Sequence, residues 1–296
     1  MIRLESDRLR IGIAGPGERP NTGFRFDRAG FVSEVVLDGA VHFCANEPSN
    51  LAHPSTGGRG LCSEFTADYS SLVKEGEYYP KFGVGLIRKD GPYCFYARYG
   101  DVKEFPVTVR SGKTWAEFVT ETLPCLGYAM RSVRQVSVEG ATLTMETEAV
   151  NLGEREIVTG EYCHNFLSLD GMAVSPDYRL ELPGILGLSG KEIKNQYPTP
   201  CNFSAEPWGI GFLRVELPVS LSSIPLDGLR DEMPFSWQLS HEGAGAWVRG
   251  EDWIRPSALT LWAADHIVSP EIIQTVRICP GETVSWKRSW TFGMEK

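Results

Sequence analysis

Between residues 143 and 157 the chain alternates and then turns. Leu143, Met145, Thr147 and Ala149 lie two apart among more polar neighbours, and Asn151-Leu-Gly breaks the run before it resumes toward Ile157. Successive strand side chains point to opposite faces, so a two-residue period describes a strand with one covered face. The device recurs along the chain. Residues 24–27, 31–37 and 41–44, divided by Gly30 and Asp38-Gly39, read as three consecutive antiparallel strands. Residues 83–88 and 93–99, divided by Lys89-Asp-Gly, read as another pair, and 114–122, 130–138, 257–262 and 284–292 alternate alike. The only helical hint is a short turn at Glu271-Ile-Ile-Gln. Strands this numerous, with turn signals at short spacing, predict an all-β chain built as a large antiparallel β-sandwich of two sheets packed face to face. The main irregular region is 46–79, rich in Gly, Ser and Glu.

Pro and Gly are scattered, and no low-complexity run or repeat divides the 296 residues, so one domain over 1–296 is expected. Hydrophobic residues at 42% supply an ample core. A formal net charge of -9 argues against nucleic acid, whose recognition needs clustered Lys and Arg. The first residues, Met1-Ile-Arg-Leu-Glu, lack the order of a signal peptide and no apolar run reaches spanning length, so a cytoplasmic protein with no membrane partner is expected. Seven widely spaced cysteines without a Cys-x-x-Cys pair suggest reduced thiols rather than disulfides or zinc.

Chemistry gathers at Glu161-Tyr-Cys-His164-Asn-Phe166. An imidazole with an ordinary pKa near about 6.5 can give and recover a proton at one pH. Neighbouring Glu161 and Tyr162 could orient that ring or a ligand hydroxyl, while Asn165 could offer an amide. The order of strand, Asn-x-Gly turn, strand and His-x-Phe resembles the middle of the galactose mutarotase (aldose 1-epimerase) superfamily. Asn21-Thr-Gly-Phe-Arg25-Phe resembles its arginine-bearing strand, and Cys279-Pro-Gly-Glu282 the turn before its final strand. The resemblance implies that superfamily's supersandwich, a carbohydrate partner, His164 as general acid to a ring oxygen, and Arg25 as a sugar contact.

The resemblance also implies a glutamate base in a late strand. Here the chain departs from the pattern, because the matching strand Ala258-Leu-Thr-Leu-Trp262 puts Trp262 near the base's place. Two carboxylates could substitute: Glu271, after that strand, and Glu64, at the end of the Gly-rich loop Gly57-Gly-Arg-Gly60. His42 and Glu47 at the end of the third strand, Lys81 in Tyr79-Pro-Lys, and Trp262 are further contacts to hydroxyls or the ring.

Other chemistries fit less well. His42, Glu47 and His53 form a loose group without a His-x-His pair, so no metal is expected. Gly57-Gly-Arg-Gly60 lacks a nucleotide-loop order, so no cofactor is expected. Cys163 and His164 are adjacent on a strand and point apart, which disfavours a Cys-His pair. Three readings stay open: acid/base ring opening of an aldose or related sugar, sugar binding or sensing without catalysis, and isomerisation or elimination on a modified sugar.

Overall fold

The computed structural model describes residues 1–18, 24–48, 55–95, 99–197, 201–213 and 220–295. It is an all-β structure of two large antiparallel sheets and a small third one, as the alternation predicts. In spatial order the first sheet runs Ile2–Glu5, Leu9–Ile13, Val32–Leu37, Gly60–Phe65, Ile157–Phe166, Ile267–Ile278, Ala258–Ala264 and Ser220–Ser223, with Val41–His42 paired to the Val32–Leu37 strand. The second runs Phe203–Glu206, Gly209–Phe212, Tyr178–Glu181, Phe235–His241, Ala246–Trp253, Thr283–Met294, Thr142–Asn151, Met130–Glu139, Trp115–Glu121 and Val107–Ser111. The strands Tyr78–Lys81, Gly85–Arg88 and Val102–Glu104 form the third.

Period two sets the core. Along Met130–Glu139 and Thr142–Asn151, Val136, Val138, Leu143, Met145 and Ala149 are buried while their alternate neighbours face outward. They pack with Leu61, Cys163, Leu259, Leu261, Val268 and Ile272 of the first sheet, so one apolar core lies between the two sheets. Burying such side chains contributes on the order of 1.5–3 kcal/mol each before conformational entropy is subtracted.

Two buried ion pairs cross this core. Arg288 donates to both carboxylate oxygens of Glu161 (2.9 and 2.8 Å) and to Asp252 (2.9 Å), which also accepts from Trp237. Arg134 pairs with Asp27 (3.0 Å) and donates to the Ala29 carbonyl. Charges this deep require partners at this distance, since neither could remain ionised alone.

Four local expectations are corrected. Residues 24–26 form bends and Asp27 no regular element, in place of a strand: the Asp27 side chain turns inward to Arg134, and its N–H makes one bond, to the Ser63 carbonyl of the Gly60–Phe65 strand. Residues 93–95 and 99 are likewise outside strands. The region 46–79 is interrupted by the Gly60–Phe65 strand, so Glu64 sits in a sheet and not at a loop end. Glu271 lies within the twelve-residue strand Ile267–Ile278, antiparallel to Ala258–Ala264, and not in a helical turn. No helix of the described residues is long and apolar enough to cross a membrane.

Candidate functional site

Alternation along Ile157–Phe166 separates two sets of side chains. Glu161, Cys163 and Asn165 face the second sheet: Glu161 meets Arg288, Cys163 joins the core, and Asn165 Oδ1 accepts from Trp290 Nε1 (2.9 Å). Tyr162, His164 and Phe166 face the other way. There Phe166 joins Phe26, Cys62, Trp262, Ala264 and Ile267 in a second apolar cluster.

Neighbouring strands bring acids to that outer face. Glu64 lies directly across from Tyr162. Glu271 is opposite Thr260 on the far side. Paired residues between Ile157–Phe166 and Ile267–Ile278 run from Ile157↔Ile278 to Glu161↔Gln274. Beyond that, side chains replace the ladder: the Asn165 N–H donates to Ser269 Oγ (3.1 Å), and Asn165 Nδ2 donates to the Pro270 carbonyl. The Asn165 amide, expected as a ligand contact, is used here to join two strands.

At this level His164 stands between two carboxylates. Its Nδ1 is 2.7 Å from Glu271 Oε1 and its Nε2 is 3.0 Å from Glu64 Oε2. The ring is 1% exposed, stacked parallel to Phe166 at 5.4 Å, with Phe26 edge-on at 4.9 Å and Tyr162 tilted at 4.4 Å. Burial pulls the imidazole pKa down, but the Glu271 charge and the bonds to both acids outweigh it and raise it above the ordinary value.

The two acids are held differently. Glu64 accepts from Arg25 Nε (2.7 Å), Lys81 Nζ (3.2 Å), the Tyr162 hydroxyl (3.0 Å) and His164. Burial would raise its pKa, yet Arg25, Lys81 and His164 hold it well below the usual carboxylate range. Among the described residues no Arg or Lys bonds to Glu271; it accepts from His164, from Thr260 Oγ1 (2.8 Å) and from Ser269 Oγ (3.3 Å). Burial opposes its ionisation and His164, foremost among its partners, reverses that, so it too lies below the ordinary value.

A pocket of about 70 Å³ lies over this group, lined by Arg25, Glu47, Phe95, His164, Phe166, Tyr197, Leu221, Trp262 and Glu271. Glu64, Tyr162 and Lys81 are not in the lining; they sit on the hydrogen-bonded network beneath. Larger hollows of about 520 and 550 Å³ lie on the second sheet, beside Trp253 and Trp208, but neither is lined by a histidine.

The sequence candidates therefore divide. His164, Glu271, Arg25 and Trp262 line the pocket together with Glu47; Glu64, Tyr162 and Lys81 support it. His42 stands apart, exposed on the Val41–His42 strand, where its backbone bonds to Asp170. Asn165 faces the core. His53 and the Asn21-Thr-Gly segment lie outside the described residues. Among the described residues no group of three His, Cys, Asp or Glu is arranged to hold a metal ion. Phe95, Tyr197 and Leu221 of the wall, and Thr260 and Ser269 behind Glu271, carry no signal in the sequence, and Phe166 enters there only as part of the His-x-Phe pattern. Phe166 alone carried a signal, since it lies two residues past His164 and so on the same strand face.

No family model matches the chain and no curated protein is similar to it in sequence. Solved structures are similar in fold. A galactose mutarotase-like protein of Lactobacillus casei is 11% identical with a TM-score of 0.62, covering 99% of this chain and 100% of its own. A galactose mutarotase related enzyme of Lactobacillus acidophilus is 13% identical with a TM-score of 0.60, covering 100% of this chain and 98% of its own. A galactose mutarotase-like protein of Clostridium acetobutylicum is 12% identical with a TM-score of 0.55, covering 99% and 94%. The chain thus has the galactose mutarotase-like fold over its whole length.

Proposed function

We propose that this pocket binds a neutral aldose or related sugar and moves protons on it, in the manner of an aldose 1-epimerase and without a cofactor. The observation that carries the reading is the buried Glu64–His164–Glu271 string beneath an aromatic wall. Formal charges balance around it: Arg25, Lys81 and a protonated His164 against Glu47, Glu64 and Glu271. A balanced site suits a neutral polyhydroxylated ligand better than a phosphorylated one.

In this mechanism Glu271 accepts the proton of the anomeric hydroxyl while His164 donates one to the ring oxygen. The bond between the anomeric carbon and the ring oxygen breaks, and an open-chain carbonyl results. Reclosure on the other face of the carbonyl, with both protons returned, gives the other anomer. A carboxylate held below the ordinary range is a weak base, so the two transfers have to be coupled. Glu64 keeps the imidazole charged and oriented until a ligand oxygen takes its place at Nε2. On reclosure the hydroxyl formed from the ring oxygen returns its proton to Nε2 and Glu271 returns its own to the new anomeric oxygen, so no proton has to come from solvent. The pocket has room for a few waters, so a sugar ring must displace part of the wall, of which Phe95 is exposed.

The test is anomer interconversion followed by NMR across an aldose panel, with wild type and His164→Ala. Exchange lost in the variant is the expected result; equal exchange in both sinks the assignment. One observation favours the second reading, binding without catalysis. Both ring nitrogens of His164 already have partners, and Trp262 packs against Phe166, with ring centroids 5.4 Å apart, near the position that resemblance gives to a base. Saturable sugar binding with no anomer or epimer exchange in the wild-type protein would establish it.

A further inference from the structure

The acid/base reading leaves one charged group of the pocket without a task. Glu47 lines the cavity, and its carboxylate is fastened through a single oxygen. Oε2 accepts from the backbone N–H of Thr56 (2.7 Å) and Gly58 (3.1 Å) and from the hydroxyls of Thr56 (2.8 Å) and Ser55 (3.2 Å). None of the described residues donates to Oε1. The Glu47 N–H also bonds to the Gly58 carbonyl (2.9 Å), so backbone and side chain are tied to the same short segment.

Four donors on one oxygen fix the side-chain torsions before any ligand arrives. The second oxygen is then an acceptor whose ordering cost has already been met, and an ionised acceptor makes a stronger bond to a hydroxyl than a neutral one does. It stands in the same lining as Arg25, a donor, and Trp262, a flat apolar surface. Donor, acceptor and aromatic face are what a sugar ring presents its own groups to: hydroxyls of both polarities and a patch of C–H bonds.

We infer that Glu47 is a specificity-determining residue, a pre-set acceptor for one or two hydroxyls of a neutral sugar, which discriminates against analogues lacking a hydroxyl there. The inference rests on the sugar-pocket reading. A site built to bond a hydroxyl penalises its absence, because the partner, half-buried here and covered further by the ligand, is left unpaired. Glu47→Gln keeps the shape and an acceptor for the 55–58 segment while removing the charge. Thr56→Val removes one anchor and leaves the carboxylate.

The experiment is calorimetric titration of the full chain with a monosaccharide panel and, for the best ligand, each of its monodeoxy analogues. One analogue is expected to bind wild type about tenfold or more weakly. Glu47→Gln should weaken the parent sugar about tenfold and reduce the penalty for that analogue to less than about threefold. Thr56→Val should leave both affinities within about threefold of wild type. The inference is overturned if Glu47→Gln binds the parent as wild type does, if the deoxy penalty persists in it, or if Thr56→Val loses as much, since that makes Glu47 a loop anchor only. If wild type binds no sugar of the panel, the sugar-pocket reading itself fails; if it binds and only the Glu47 outcomes fail, that reading stands and this inference does not.

Discussion

His164 Nδ1 and Glu271 Oε1 lie 2.7 Å apart across two neighbouring strands, 107 residues distant in sequence and both almost fully withdrawn from water. Around this contact Ser269 and Asn165 join the strands by side-chain bonds, where backbone pairing is interrupted between Glu161↔Gln274 and the bridge Leu167↔Val268. A hydrogen bond between an imidazole and a carboxylate so buried favours the charged state of both.

The imidazole of His164 should therefore titrate above its ordinary value, a midpoint to be measured by NMR of its ring resonances. Glu271→Gln removes the charge that opposes desolvation and should bring that titration down. An unchanged midpoint in the variant would mean that Glu64 alone sets the charge, and the pairing with Glu271 would lose its meaning.

Stability should follow pH through the same groups. Glu64 and Glu271 are depressed, so their contribution is present above the ordinary carboxylate range and is lost as pH falls through their lower folded values. His164 is raised, so its contribution is present below its unfolded pKa and is lost as pH rises through the folded one. Urea midpoints should then peak between the carboxylate range and the raised histidine value. In Glu271→Gln the decline on the alkaline side should flatten; a decline of the same steepness would assign it to other groups.

The long strands of the second sheet were legible because each has one covered face: Met130–Glu139 and Thr142–Asn151 alternate almost without fault. The site strands were harder to read for the opposite reason. All six residues of Gly60–Phe65 and the first six of Ile267–Ile278 are buried, since the core covers one face and the pocket cluster the other. A strand covered on both faces has no period to detect. That is why Glu64 reads as a loop end and Glu271 as a turn, although both residues were singled out. Their convergence on His164 depends on which strands become neighbours, and periodicity carries no such information.

The core network around Arg288 makes a prediction of opposite sign. Burial raises Asp252 to about 6 even with Arg288 and Trp237 bonded to it. The folded protein then binds a proton that the unfolded chain has released, so this group lowers stability as pH rises from its ordinary 3.8 toward about 6. Asp252→Asn should remove that slope from the urea midpoints while leaving the His164 titration in place. A slope unchanged by the substitution would mean that Asp252 stays ionised throughout.

Among the described residues Glu64 is the one carboxylate bonded directly to Lys81, whose side chain is 1% exposed; Asp68 acts on it only through its charge. Removing the acid leaves an ammonium group buried with no bonded counter-charge, whereas Arg25 borders the pocket and can be hydrated. Glu64→Gln should cost about 3–5 kcal/mol in denaturant unfolding, the usual penalty for breaking one side of a buried pair. Lys81→Met alone leaves Glu64 with Arg25 and His164, so it should cost about 1–2 kcal/mol. The double variant should be more stable than Glu64→Gln by at least about 1 kcal/mol, because the stranded charge is gone. Strict additivity of the two losses would show that Lys81 does not feel Glu64, and the network beneath His164 would reduce to Arg25 and Tyr162.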